Sequence, residues 1–90
     1  MYNNIDIKNK KKIKELENII KDRYKESNNI KEIIVRYNDI ILLFNFNLFR
    51  YLIINDELRC SWTDELTGKN HIEQYHNIED LLNSLDMILS

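Results

Sequence analysis

Apolar residues in 9–27, "NKKKIKELENIIKDRYKES", recur at Ile13, Leu16, Ile20 and Tyr24, with Ile19 beside them. That stripe is one face of an amphipathic helix, for which Asn9 is a suitable N-cap and "SNN" a suitable end. From Ile30 to His76 the pattern turns to β-branched and aromatic residues, broken at "ND" (38–39), "NDE" (55–57) and "DELTGK" (64–69). Such spacing predicts an antiparallel meander. Within it Leu58, Cys60 and Trp62 alternate with Arg59, Ser61 and Thr63, a half-buried strand with Cys60 toward the core. The last segment, "NIEDLLNSLDMIL", sets Ile78, Leu81, Leu82, Leu85, Ile88 and Leu89 on one helical face. Asn77 is its N-cap and Asp80 follows at the capping-box spacing.

The stretch "IILLFNFNLFRYLII", residues 40 to 54, needs separate treatment. As a single strand it would span roughly 50 Å, against a diameter of some 30–35 Å for a domain of this length. The chain must bend or break, and Asn45–Asn47 is the only polar place for it. Two strands, or one bent strand, follow. Both faces of 40–43 and 51–54 are apolar, the pattern of central strands covered on both sides. We expect the sheet to curl around a single core. Otherwise some of Ile41, Leu43, Phe49, Tyr51 and Ile53 stay available to a partner. The expected fold is a single α+β domain over residues 1–90, an antiparallel four- to five-stranded meander flanked by an N-terminal and a C-terminal helix.

Composition narrows the class. Hydrophobic residues at 43% and charged residues at 31% belong to a soluble globular chain. Stretch 40–54 is shorter than the roughly 20 apolar residues of a membrane helix, and "MYNNIDIKNKKKIK" lacks the apolar segment of a secretory signal. The lone Cys60 forms no internal disulfide and suits a reducing cytosol, so a cytoplasmic protein with no membrane partner is expected. Thirteen Asn and fifteen Ile against no Ala, no Pro and one Gly indicate an AT-rich genome, that of a low-GC bacterium or its phage.

Charge is unevenly spread. Residues 1–27 carry eight Lys/Arg against five Asp/Glu, whereas residues 55–90 carry two against eight. Lys10, Lys11 and Lys12 at the start of the expected helix oppose its dipole, which suggests a purpose other than local stability. With Lys8 and Lys14 they can neutralise a few phosphates, and a small nucleic-acid-binding protein is one reading. Against it, Glu15 and Glu17 follow at once and no helix-turn-helix or stacking platform is evident. The acidic half points elsewhere. A meander brings the 55–57 turn and the 76–78 junction to one end of the sheet, so Asp56 and Glu57 approach Glu79 and Asp80, with Asp64 and Glu65 at the opposite end. The helix dipole accounts for Glu79 and Asp80 but not for the other four. Acids of this kind can occupy a basic groove in place of phosphates.

Other chemistry is thinly supported. His71, Glu73 and His76, with Cys60 and Asp64 upstream, tempt a metal reading. On a strand His71 and Glu73 share a face while His76 points the other way, and a structural zinc site needs four closed ligands. A core-facing Cys60 acts as a small hydrophobe rather than a nucleophile, and Gly68 alone builds no phosphate loop. We expect no catalytic residue, no metal and no cofactor.

The layout is a leading amphipathic helix, a meander with acidic turns and a closing helix in ninety residues of AT-rich bias. It resembles small phage-encoded anti-CRISPR proteins of Gram-positive hosts, some of which are acidic α/β domains that block a CRISPR effector by occupying its DNA-binding surface. The resemblance implies a non-enzymatic inhibitor whose partner is a larger basic protein, a CRISPR effector or nuclease. Toxin-immunity proteins share the layout, so an immunity or antitoxin-type partner is a third reading. An obligate homo-oligomer through Phe49, Tyr51 and Ile53 follows if neither charged surface is used.

Overall fold

The chain folds in the order α1 (Tyr2–Arg23), β1 (Ile30–Val35), β2 (Asp39–Phe44), β3 (Tyr51–Asn55), β4 (Arg59–Thr63), β5 (Asn70–Gln74) and α2 (Ile78–Leu89). The computed structural model describes the backbone of residues 2–45 and 49–89 and the side chains of 12–45 and 49–89. All five strands join one antiparallel sheet in sequence order, the expected α+β meander with a helix at each end.

Stretch 40–54 breaks into two strands, β2 and β3, paired through Ile40↔Ile54 and Leu42↔Leu52. Around the break, the Phe44 N–H donates to Arg50 O at 2.8 Å and the Asn45 N–H to Asn29 O at 2.9 Å. The Asn45 side chain adds a bond to Asn28 O at 2.8 Å, so this polar residue does stop the apolar run. Asn47, the other residue expected there, lies outside the described residues.

The first helix corrects the sequence reading. It starts at Tyr2, not at an Asn9 cap. No Gly or Pro interrupts residues 2–9, and extending an existing helix costs far less than nucleating one. Lys10, Lys11 and Lys12 therefore lie inside α1, about two turns from its start. The dipole acts mainly on the first turn, so the conflict that seemed to single them out disappears.

Directly opposed residues of antiparallel strands share a face. One such row is Ile40, Ile54 and Cys60, and a second is Leu42 and Leu52. All five are buried, as is Phe44. Ile13, Leu16 and Ile20 of α1 and Leu81 and Leu85 of α2 join them in one cluster, so both helices cover the same face. Truncating Leu42 or Leu81 to Ala would cost about 2–5 kcal/mol. The Tyr24 hydroxyl, just beyond α1, ties it to α2 by donating to Asp86 Oδ1 at 2.7 Å, with Leu82 O 3.2 Å away.

Ile34, Ile41, Ile53, Ser61 and Ile72 form a row across the opposite face. None belongs to the buried core. The single core expected of the sheet is present, but among the described residues both helices join the cluster on one face only. Among the described residues, Ile41, Leu43, Tyr51 and Ile53 are half-buried and stand outside the cluster that the two helices join. Phe49 differs, since its ring meets Phe44 edge-on at 5.4 Å and packs toward the core.

Candidate functional site

The β3–β4 turn is built by Asn55. Its side-chain oxygen accepts the N–H groups of Glu57 and Arg59, both at 2.9 Å, while its carbonyl accepts Leu58 N–H at 3.1 Å. Leu58 closes the turn with φ at 62°, a left-handed conformation usually reserved for glycine. Its side chain nonetheless packs against the core, which keeps a leucine there. With the turn's polar groups satisfied internally, the Glu57 side chain is left exposed and that of Asp56 half-exposed.

The end of β5 comes to the same place. The Tyr75 N–H donates to Leu58 O at 3.1 Å, and Gln74 Nε2 donates to Glu57 O at 2.7 Å. Asn77 then caps α2, its Oδ1 accepting Asp80 N–H at 2.8 Å, as the sequence indicated. Glu79 and Asp80 occupy the first helical turn, exposed and favourable to the dipole. Asp56, Glu57, Leu58, His76 and Ile78 line one wall of a cleft of about 360 Å³, and Lys12, Glu15 and Leu16 of α1 line the other. Lys12 therefore faces the acidic end rather than a separate basic surface.

Asp64 and Glu65 are placed differently, at the far end of the sheet. Asp64 is spent on its own loop: Oδ1 accepts Leu66 N–H at 2.8 Å and Thr67 N–H at 3.3 Å, and its carbonyl accepts Gly68 N–H at 2.7 Å. Glu65 stands 3.8 Å from the Arg50 guanidinium. The six acids singled out by sequence thus divide four and two. Asp56, Glu57, Glu79 and Asp80 form no ion pair with any described side chain.

The lysines are partly accounted for. Lys14 lies 3.7 Å and Lys21 2.6 Å from Glu17, whose carboxyl is held below its usual range chiefly by the Lys21 hydrogen bond. The side chains of Lys8, Lys10 and Lys11 lie outside the described residues. His71 stacks on Trp62 with centroids 5.3 Å apart, beside Glu73 on the core-side face of β5, while His76 belongs to the cleft. Among the described residues no group of three His, Cys, Asp or Glu side chains could hold a metal ion. Cys60 is buried, and burial first, then the Glu73 charge, push its thiol up to about 12.

Sequence reasoning missed one feature: the strained Leu58 carries no signal, because its neighbours read as an ordinary turn. The polar His71 and Glu73 do read as residues of a half-exposed edge strand, which β5 is. No described helix is long and apolar enough to cross a membrane. Comparison with protein-family models, with curated proteins and with solved structures finds no match to this chain.

Proposed function

We propose that this chain is a non-enzymatic protein-binding inhibitor that docks its acidic end on a basic, nucleic-acid-holding groove of a larger protein. A phage or mobile-element product directed at a host nuclease or CRISPR effector fits this reading, and the cytosol suits its reduced Cys60. One observation carries it. The fold gathers Asp56, Glu57, Glu79 and Asp80 at one end without an ion pair to any described side chain, whereas Glu17, Asp39, Glu65 and Asp86 are paired. Unpaired carboxylates on a rigid sheet end are available to replace phosphates in a cationic groove. The lysine-rich helix supports the nucleic-acid reading less, because Lys14 is engaged by Glu17 and Lys12 faces acids.

The test is capture from a Gram-positive lysate followed by charge reversal. The partner should be a basic protein that duplex DNA displaces. Asp56→Lys with Glu57→Lys should weaken its binding from several-fold to completely, according to how far the acids are desolvated. Replacing Lys10 and Lys11 by Glu should leave it nearly unchanged. Binding that survives reversal at Asp56, Glu57, Glu79 and Asp80 together rejects the reading. Bare DNA that shifts with wild-type protein and not with the lysine variant favours the nucleic-acid alternative instead.

A further inference from the structure

The sheet ends in two unlike edges. At β1 the pairing is interrupted by a bulge between Ile30 and Glu32, and Lys31 sits at the irregularity. A bulge and a lysine are two devices that protect an edge from pairing with another strand. At β5 neither is present: Asn70 to Gln74 pair with β4 in unbroken register, and all five residues are exposed.

Hydrogen-bond alternation fixes which groups this edge offers. Tyr75 N–H donates to Leu58 O and Asp64 N–H to Lys69 O, so odd-numbered residues of this segment direct their backbone groups to β4. The backbone N–H and C=O of Asn70, Ile72 and Gln74 therefore point outward. Consider a second β5 laid antiparallel with Ile72 opposite Ile72. All outward groups then meet partners, giving about six backbone bonds. His71 falls opposite Glu73 of the second copy, twice by symmetry, at the closer, non-hydrogen-bonded positions. Asn70 falls opposite Gln74. A slip of one residue would remove both matches and point the strand's side chains to the wrong faces.

We propose that β5 is a homodimerisation edge, pairing two copies about a two-fold axis at Ile72 into a continuous ten-stranded sheet. The occupant is a second copy of this chain because the edge is complementary to itself in side chains as well as backbone: an imidazole N–H of His71 can donate to Glu73 of the other copy, twice by symmetry. Glu73 points to the core-side face, where an inward charge discourages a foreign strand; a strand carrying a hydrogen-bond donor opposite it removes that obstacle. The stacking of His71 on Trp62 holds the imidazole where that donor is needed. Ile72, 66% exposed in the single chain, gains an apolar neighbour on the other face.

Sedimentation velocity from about 1 µM to 1 mM tests this over the range of weak specific association. Wild-type protein should pass from monomer to dimer. Ile72→Pro deletes an N–H that faces away from β4, so the monomer should keep its circular dichroism while the dimer is lost. Glu73→Lys places Lys opposite His71, and His71→Glu places Glu opposite Glu73, so each alone should weaken dimerisation by about tenfold or more. Mixed in equal amounts, the two variants set the introduced Lys opposite the introduced Glu and His71 opposite Glu73 across the axis, and should dimerise with each other. A wild-type chain still monomeric at the highest concentration overturns the proposal. So does a dimer indifferent to Ile72→Pro, or one in which the charge variants self-associate as well as they pair with each other.

Discussion

Arg23 and Asp86, 63 positions apart, face each other across the two helices: Arg23 Nε donates to Asp86 Oδ1 at 3.0 Å and a second guanidinium N–H reaches Oδ2. The Arg23 bonds first, and the Tyr24 hydroxyl second, hold the Asp86 carboxyl down at about 2. Both ion-pair partners are about two-fifths exposed, so solvent screens much of their attraction. The direction of the linkage is still definite. A carboxyl whose pKa is depressed by folding stabilises the fold above its unfolded value, near 4, and that contribution disappears as pH falls toward 2. Wild-type protein should therefore have a higher urea midpoint than Asp86→Asn at pH 7. The gap should close between pH 4 and pH 2; a gap that persists unchanged at pH 2 contradicts the assignment.

Cys60 is 1% exposed and sits between Leu58 and Trp62 on the core side of the meander. With its thiol pushed up to about 12, almost no thiolate exists at neutral pH. A thiol-reactive dye should label native protein far more slowly than protein in denaturant. Cys60→Ser should cost about 1–2 kcal/mol, because a hydroxyl in those surroundings loses hydration without gaining a partner. Equal labelling rates would show that the strand opens readily.

Leu58 offers a sharper test of backbone against packing. At φ 62° an L side chain is strained, while the leucine contributes to the core. Leu58→Gly and Leu58→Ala both lose the packing, but only Ala keeps the strain. The glycine variant should be the more stable of the two by about 1 kcal/mol, the reverse of the order inside a strand or helix. Thermal or urea unfolding of the pair reads this difference directly.

These sites mark where the sequence spoke clearly and where it could not. Apolar period set α2, and Asn77 set its start, because a long amphipathic stripe and a capping side chain are local signals. Alternation set the phase of Cys60 for the same reason. The start of α1 was misplaced because Asn9 has the chemistry of a cap, yet a helix with no breaker before it continues through. The apolar pattern of 40–43 and 51–54 implied cover on both faces. Hydrophobicity marks what can be buried and not which face the helices choose. At the acidic end, topology was legible from turn spacing, but the division of labour among the acids was not. It depends on which oxygen an amide happens to reach.

Asp64 shows that division most directly. Its Oδ1 accepts two N–H groups in the β4–β5 loop, at 2.8 and 3.3 Å, a job that needs an oxygen and not a charge. Asp64→Asn should therefore fold with nearly wild-type stability, while Asp64→Ala leaves the two donors without their acceptor and should cost about 1 kcal/mol. Asp56→Ala and Glu57→Ala make no such bonds and should stay within about 0.5 kcal/mol of wild type. Urea midpoints of the four variants measure these differences. The same variants then separate structure from recognition in a binding assay. If the acidic end near α2 is what a basic partner contacts, Asp56→Ala and Glu57→Ala lose affinity at unchanged stability, and Asp64→Asn loses neither. An Asp64→Asn variant that folds normally but no longer binds would move the docking surface to the opposite end of the sheet, beside Glu65 and Arg50.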